Sequence, residues 1–379
     1  MGKKILVVGA GLSGAVVARE LAERFDVTIH IVDSRSHIAG NCHTEGDAKT
    51  GIMVHCYGPH IFNTSDAYIW EYVNRYCKMI PYINRVKTTV GNRVFSMPIN
   101  LHTINQFYNT CMGPQEASRF IESVADDSII HPENFEQKAL KHMGKELYEA
   151  FFYGYTKKQW GMEPRDLPAS ILCRIPFRFD YNDNYYESTY QGIPELGYDD
   201  LVKNLLDHKL IELHLCRHIS PAEAQRSDYD HVIWSGAIDE YFDYQLGRLG
   251  YRTVYWKTEY LQENAIGTAV MNYADAEVPY TRKIEHKYFE SRNSLSLSSV
   301  VSTEYSKATE HGDIPYYPMR FGANLELYRQ YEKLADSQDK TCFIGRLGQY
   351  QYLNMEQVIA QALYFVDRLG VRLINGRKV

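Results

Sequence analysis

An α/β fold is what this sequence predicts: a discontinuous Rossmann-like nucleotide domain, an inserted helical domain and an antiparallel β-sheet domain. Three observations predict it. Residues 4–33 read as strand, glycine turn, helix and strand; helical patterns dominate from His102 to about Leu172; and Val254–Thr303 reads as several strands. An apolar strand and a helix near the C-terminus then supply the return that a discontinuous nucleotide domain needs to close its sheet.

Lys4–Val8 is an apolar run suited to a buried parallel strand. Gly9-Ala10-Gly11-Leu12-Ser13-Gly14 turns into a helix over Ala15–Arg24, with Ala18 and Leu21 on its inner face, and Val27–Val32 ends at Asp33. Glycine triplets at this spacing are common; the strand before and the helix after make this one informative. Gly9 permits the tight turn, Gly11 lets the backbone approach a pyrophosphate, and Gly14 lets helix and strand pack closely. The helix N-terminus offers N–H groups to phosphate, and Asp33 can accept from a ribose hydroxyl. Ser34-Arg35 and Ile38-Ala39-Gly40-Asn41 follow. An acidic strand end and then a small-Gly pair resembles large FAD proteins of the glutathione-reductase type, which implies FAD rather than NAD. No second GxGxxG occurs in the chain. A flavin enzyme of this kind takes electrons from its substrate, passes them to oxygen or a partner, or runs chemistry with no net redox change.

Beyond this fold, Ser65 or Asp66 can cap a helix over Ala67–Cys77. Val86–Val90 and Arg93–Ser96 flank Gly91-Asn92 as a hairpin. Pro114 suits a helix's first turn, and Met143-Gly144 marks a break. Strands are expected at Val254–Tyr260, Gly267–Tyr273, Arg282–Tyr288, Leu297–Thr303 and Thr341–Ile344, then a helix from Met355 to Leu369.

The 379 residues suffice for two or three domains around a shared core, and the net charge of −6 implies no nucleic-acid surface. Seven scattered cysteines, with no CxxC, argue for reduced thiols in a cytoplasm-like compartment and against a metal site. The first strand begins almost at once, so no signal peptide is expected, nor any membrane insertion. The 31 tyrosines exceed what packing requires, and a ring with a polar tip suits sugar and base recognition.

Phe151–Gly161 gathers aromatics beside lysines and glycines without a clear helical period. Within it Trp160 is a stacking platform or a core residue. Arg174, Arg178 and Arg282 lie among apolar neighbours, where an unpartnered guanidinium is costly and a bound diphosphate would be a partner.

Taken together, YGPHIFN (57–63), GYTKKQWG (154–161), RIPFRF (174–179), NYYESTYQGIP (184–194), NYADAEVPYTRKIEH (272–286), PYYP (315–318) and GRLGQYQYLNM (345–355) resemble the UDP-galactopyranose mutase family, prokaryotic type, over nearly the whole chain. The resemblance implies an FAD domain from 1–80, 195–245 and 330–379; a helical domain with a mobile substrate lid at 100–172; and an antiparallel sheet domain from 81–99, 173–194 and 246–329. It implies redox-neutral interconversion of UDP-galactopyranose and UDP-galactofuranose through N5 of reduced FAD, an external reductant, a homodimer and a cytoplasmic location. Arg174, Arg282 and His60 match the catalytic positions. Asn84, Phe151, Phe152, Tyr155, Thr156, Trp160, Tyr185, Tyr190, Asn272, Tyr317 and Tyr352 match substrate-binding positions. Gly9, Gly11, Leu12, Ser13, Gly14, Asp33, Ser34, Arg35, Gly40, Asn41, Tyr57, His60, Ile61, Arg346, Tyr352, Asn354 and Met355 match cofactor-binding ones. Asn63 and Leu353-Asn354 depart from the family pattern near the sugar end. That leaves dTDP-fucopyranose or UDP-N-acetylgalactosamine as alternative substrates of the same mechanism. Rivals on a related fold are a flavin oxidase and a non-catalytic binding module.

Overall fold

The computed structural model describes residues 2–174, 177–226, 228–290 and 296–375, excluding the side chains of 173, 174 and 371–375. Its nucleotide unit is a parallel sheet in the order Ile211–His214, Val27–Val32, Lys3–Val8, His231–Trp234, Thr341–Phe343. The C-terminal strand closes this sheet, as the sequence suggests. Ile5, Val7, Ile29 and Ile31 are buried toward the helix Leu12–Arg24, while Leu6, Val32, Val232 and Trp234 are buried on the other face. Burial on both faces explains why these strands read as continuous apolar runs. The first helix starts at Leu12, a turn earlier than the apolar pattern indicates, because the Gly11 carbonyl accepts the Ala15 N–H at 2.9 Å. At Gly14 a Cβ would lie 2.1 Å from the Gly9 carbonyl oxygen, so helix and strand could not approach as they do.

A second sheet runs in the order Tyr317–Pro318, Tyr251–Leu261, Ser299–Ala308, Arg282–Glu285, Val270–Tyr273, Val86–Val90, Arg93–Met97. It departs from the antiparallel expectation at one pairing, Val270–Tyr273 with Val86–Val90, which is parallel. The strand at Arg282 stops at Glu285, and His286–Phe289 forms a 3-10 turn instead of continuing it. Tyr190–Pro194, grouped by sequence with this sheet, pairs instead with Phe62–Thr64 and Met79–Pro81 in a small sheet beside the nucleotide unit.

Helices Leu101–Tyr108, Pro114–Val124 and Phe135–Leu147 form the helical region. Pro114 opens its helix, and Gly144 at φ 75° breaks the next one. The aromatic run is helical after all. Tyr148–Tyr153 is a π-turn that passes into the helix Gly154–Trp160, and its wider winding shifts the register and erases the 3.6-residue period. Asp66 rather than Ser65 caps Ala67–Asn74, accepting the Tyr68 N–H at 2.8 Å.

Candidate functional site

A cavity of about 890 Å³ opens at the C-terminal end of the parallel sheet. Its walls include Gly9, Gly11, Leu12, Ser13, Asp33, Ser34, Arg35, Gly40, Asn41, His60, Arg346 and Met355 from the predicted cofactor set. The Asp33 carboxylate receives the Ala10 and Arg35 amides at 2.8 and 2.9 Å, which fixes the acid at the strand end. Gly40 has φ 57°, and a Cβ there would stand 3.2 Å from the Gly11 Cα, so both glycines keep the two loops close. The helix beginning at Leu12 has no side-chain cap, which leaves its first N–H groups for a ligand. Arg35 gives one nitrogen to Asn41 at 2.9 Å and lies over the Tyr57 ring at 4.9 Å, while its Nη1 is buried without a partner. These residues fit a dinucleotide with an anionic bridge. Arg217, His218, Ser235 and Arg248 also line the cavity. They sit in segments with no glycine signature, so the sequence motif does not reveal them.

Two predicted cofactor residues serve the scaffold. Ile61 is buried in the core. The Asn354 side chain accepts the Gln357 N–H at 2.8 Å while the Gln357 side chain receives the Asn354 N–H at 3.0 Å, a reciprocal cap on the last helix.

Of the residues expected to bind substrate, Asn272, Arg282 and Tyr317 lie on the second sheet. Its register sets Phe95, Thr88, Asn272, Arg282, Glu304 and Trp256 in one row across neighbouring strands. Residues directly opposite each other share a face. Arg282 Nη2 donates to Glu304 Oε2 at 2.6 Å, and its guanidinium lies 6.0 Å from the Trp256 ring centre. Glu304 is fully buried and also accepts from the Thr281 hydroxyl at 2.7 Å. Burial opposes the Arg282 charge, but Glu304 outweighs it and holds the guanidinium firmly protonated. Arg282 Nε and Trp256 Nε1 are buried without hydrogen-bond partners, as is Asn84 Oδ1. A buried polar atom in this state calls for a partner.

Tyr155, Tyr185 and Tyr317 surround this arginine, and burial raises all three phenols so that they remain hydrogen-bond donors. Tyr317 and Tyr352 stack with centroids 5.8 Å apart, and Arg346 lies 4.7 Å over Tyr352. Arg346 itself donates to the Leu353 carbonyl at 2.6 Å. His60 is bonded through Nδ1 to the Gly58 carbonyl at 2.8 Å. Burial, reinforced by Arg346 and Arg282, pushes its pKa down to about 4, so the ring is neutral at pH 7.

Phe151 and Phe152 are buried, and Phe151 packs edge-on against Phe95 and Phe107 at 5.2 and 5.4 Å. Thr156 is buried on the next helix. Trp160, at that helix's end, is half-buried, with Phe321 at 6.1 Å. Lys158 anchors the same helix by donating to the carbonyls of Tyr273, Asp275 and Tyr280 at 2.7, 2.8 and 3.0 Å. Tyr190 is held by a different partner, its ring stacked on Trp70 at 5.3 Å. Arg174 ends a 3-10 turn, and its side chain lies outside the described residues.

The architecture defines a Rossmann-like dinucleotide-binding protein with a second, mixed sheet. The family profile described as UDP-galactopyranose mutase matches residues 150–352, and that of an NAD(P)-binding Rossmann-like domain matches 7–76. A "probable UDP-galactopyranose mutase" of Klebsiella pneumoniae is 51% identical over 100% of this chain and 97% of its own length. A dTDP-fucopyranose mutase of Escherichia coli is 46% identical over 95% and 96%. The crystal structure of a reduced UDP-galactopyranose mutase superposes with a TM-score of 0.76 at 14% identity, covering 99% of this chain and 96% of that one. A cyclohexylamine oxidase from Brevibacterium oxydans shares the fold at a TM-score of 0.58 and 12% identity, covering 98% and 100%. This chain belongs to the UDP-galactopyranose mutase family, and it is an isomerase of that family's kind.

Proposed function

We propose that this protein interconverts UDP-galactopyranose and UDP-galactofuranose, with FAD in the Gly9–Asp33 cavity kept reduced by an external donor. The observation that supports this most is Arg282, pinned by buried Glu304 beside Asn272 and left with an unpartnered Nε. A diphosphate is the partner that such a group fits. When bound, reduced flavin supplies the nucleophile for the anomeric carbon, with no net redox change.

The chain's own residues hold and balance the charges. Arg282, together with Arg174, takes up the diphosphate charge as it grows at the leaving oxygen. Asn84 and Asn272, with the neutral phenols of Tyr155, Tyr185 and Tyr317, donate to phosphate and sugar oxygens. Trp160 stacks on the base, with Phe151, Phe152 and Thr156 behind it. His60 stays uncharged beside the cavity, with Nε2 free to accept from a ligand once Nδ1–H is donated to Gly58. The working form is a cytoplasmic homodimer.

The decisive experiment incubates dithionite-reduced protein with UDP-galactopyranose, dTDP-fucopyranose and UDP-N-acetylgalactosamine, and scores furanose formation. Exchange only of the dTDP sugar would favour the second reading, a dTDP-fucopyranose mutase, which the 46% identical relative supports. Oxygen consumption without exchange would make the protein an oxidase.

A further inference from the structure

The parallel sheet ends at an edge strand, Ile211–His214, whose outer side has no paired strand among the described residues. Glu212 lies directly opposite His30 on the neighbouring strand, so the two side chains share a face. His214 is two residues further on and shares that face as well. Ile29 and Ile31 point the other way, into the core. Three groups of metal-ligating chemistry are thereby collected at the partly exposed edge of that face, apart from the residues of the glycine turn and the arginine row.

We propose that His30, Glu212 and His214 form a binding site for one divalent cation of the Zn²⁺ class, which clips the edge strand to its neighbour. Glu212 Oε1 is 3.1 Å from His214 Nε2, and Glu212 Oε2 is 3.6 Å from His30 Nε2. Zinc bonds of about 2.0–2.1 Å at tetrahedral angles put ligand atoms about 3.4 Å apart. The two observed spacings, one to each oxygen of the carboxylate, bracket that value, and with one ligand atom taken from each residue the three lie within 4.8 Å of one another. The side chains are 26%, 31% and 61% exposed for His30, His214 and Glu212, which leaves room for the last closing rotation and for water at the fourth position.

Tyr229 supplies an independent observation. Its hydroxyl is 2.7 Å from His30 Nδ1. With the ring's other nitrogen occupied in this way, Nε2 stands 3.6 Å from the carboxylate, beyond hydrogen-bond length in either tautomer. The tautomer that donates Nδ1–H to Tyr229 turns the Nε2 lone pair toward Glu212, which is the arrangement a metal-bound histidine has. Two imidazoles and one carboxylate select a d-block ion over Ca²⁺ or Mg²⁺, which take oxygen ligands. The His214 carbonyl accepts the Asp33 N–H at 3.0 Å, so the clip lies next to the acid that closes the nucleotide motif.

The test uses the full-length protein with its cofactor in place, treated with EDTA and titrated with ZnCl₂ by calorimetry and with CoCl₂ by visible absorption. One equivalent should bind, with a Co²⁺ spectrum free of thiolate charge transfer, and Zn²⁺ should raise the unfolding midpoint. Tyr229→Phe should weaken binding by about 10-fold, the loss expected when a ligand's orienting partner is removed. His30→Ala and His214→Ala should abolish binding and the midpoint shift. Glu212→Gln keeps the argument testable if either histidine variant fails to fold, because Glu212 is the most exposed of the three; it too should lose the metal. Absence of binding in the unmutated protein overturns the proposal, as does binding that survives both histidine variants. A thiolate band also overturns it, since that would place the ion at His43, Glu45 and Cys56 instead.

Discussion

Arg282 and Glu304 face each other across adjacent strands, nitrogen to oxygen at 2.6 Å, and the carboxylate has no exposed surface. The pair is a fixed cation with one side occupied. On the proposed function, in which Arg282 holds a diphosphate whose charge develops as it leaves, Arg282→Ala should lower kcat by about 10²–10³-fold. Arg282→Lys should rescue poorly, since a point charge cannot occupy Glu304 and phosphate together as a planar fork does. Steady-state kinetics checks both; a raised KM at unchanged kcat would restrict Arg282 to ground-state anchoring. Glu304→Ala should destabilise the fold by about 3–5 kcal/mol, because it strands a partly buried charge.

Gly14→Ala should yield a colourless and less stable protein, since its Cβ would lie 2.1 Å from the Gly9 carbonyl oxygen. The unmutated protein should be yellow and should turn over only with reduced flavin. Equal rates in air and in dithionite would exclude a nucleophilic flavin.

Trp160→Ala should weaken nucleotide binding by about 1–3 kcal/mol, the range for an aromatic platform under a base. Flavin content and the unfolding midpoint should hold, because Trp160 is half-buried at a helix end. A variant that melts early yet binds UDP normally would make Trp160 a packing residue.

Three histidines give the protein an acid-side weakness. Burial pushes His286 down to about 3 and His60 to about 4, and holds His55 well below its ordinary 6.5. The unfolded chain protonates these rings near 6.5 while the folded one does not, so it binds more protons in that window. Stability should therefore be fully present above 6.5 and fall as pH drops toward 4, with a slope of about 1.4 kcal/mol per pH unit for each buried ring. Urea midpoints measured between pH 7 and about pH 5, where most carboxylates are still ionised, isolate this loss. A level profile there would mean that the rings are charged in the folded state.

The nucleotide fold was legible because its signals are local: an apolar run, glycines at fixed offsets and an acid at a strand end. The π-turn at Tyr148–Tyr153 was not, because its winding matches neither the helical nor the strand period. Glu304 carries no mark in its own segment either. Its importance comes from sitting opposite Arg282, and strand register depends on pairings that no single segment specifies. The same reason hides the juxtaposition of His30 and Glu212.

Sugar choice should follow Asn63 rather than Leu353 or Asn354, although all three depart from the family pattern. Leu353 is buried against the cavity of the nucleotide unit and its carbonyl receives Arg346, so Leu353→Tyr should crowd that cavity and lower stability by about 1–3 kcal/mol without changing which sugar is preferred. Asn354 caps the last helix, and Asp caps equally well, so Asn354→Asp should be nearly silent in stability and in selectivity. Asn63 is different. Its amide bridges the Ile61 carbonyl at 3.2 Å and the Ser188 hydroxyl at 3.0 Å, which joins the His60 loop to the segment carrying Tyr185. Asn63→His breaks that bridge, which on the proposed function joins two segments expected at the sugar end. The ratio of kcat/KM for UDP-galactopyranose to that for dTDP-fucopyranose should shift by about 10-fold or more, the scale on which one polar contact discriminates. Parallel kinetics on the three variants decides the matter: a ratio that moves with Leu353→Tyr and stays fixed with Asn63→His would place sugar recognition at the C-terminal segment instead.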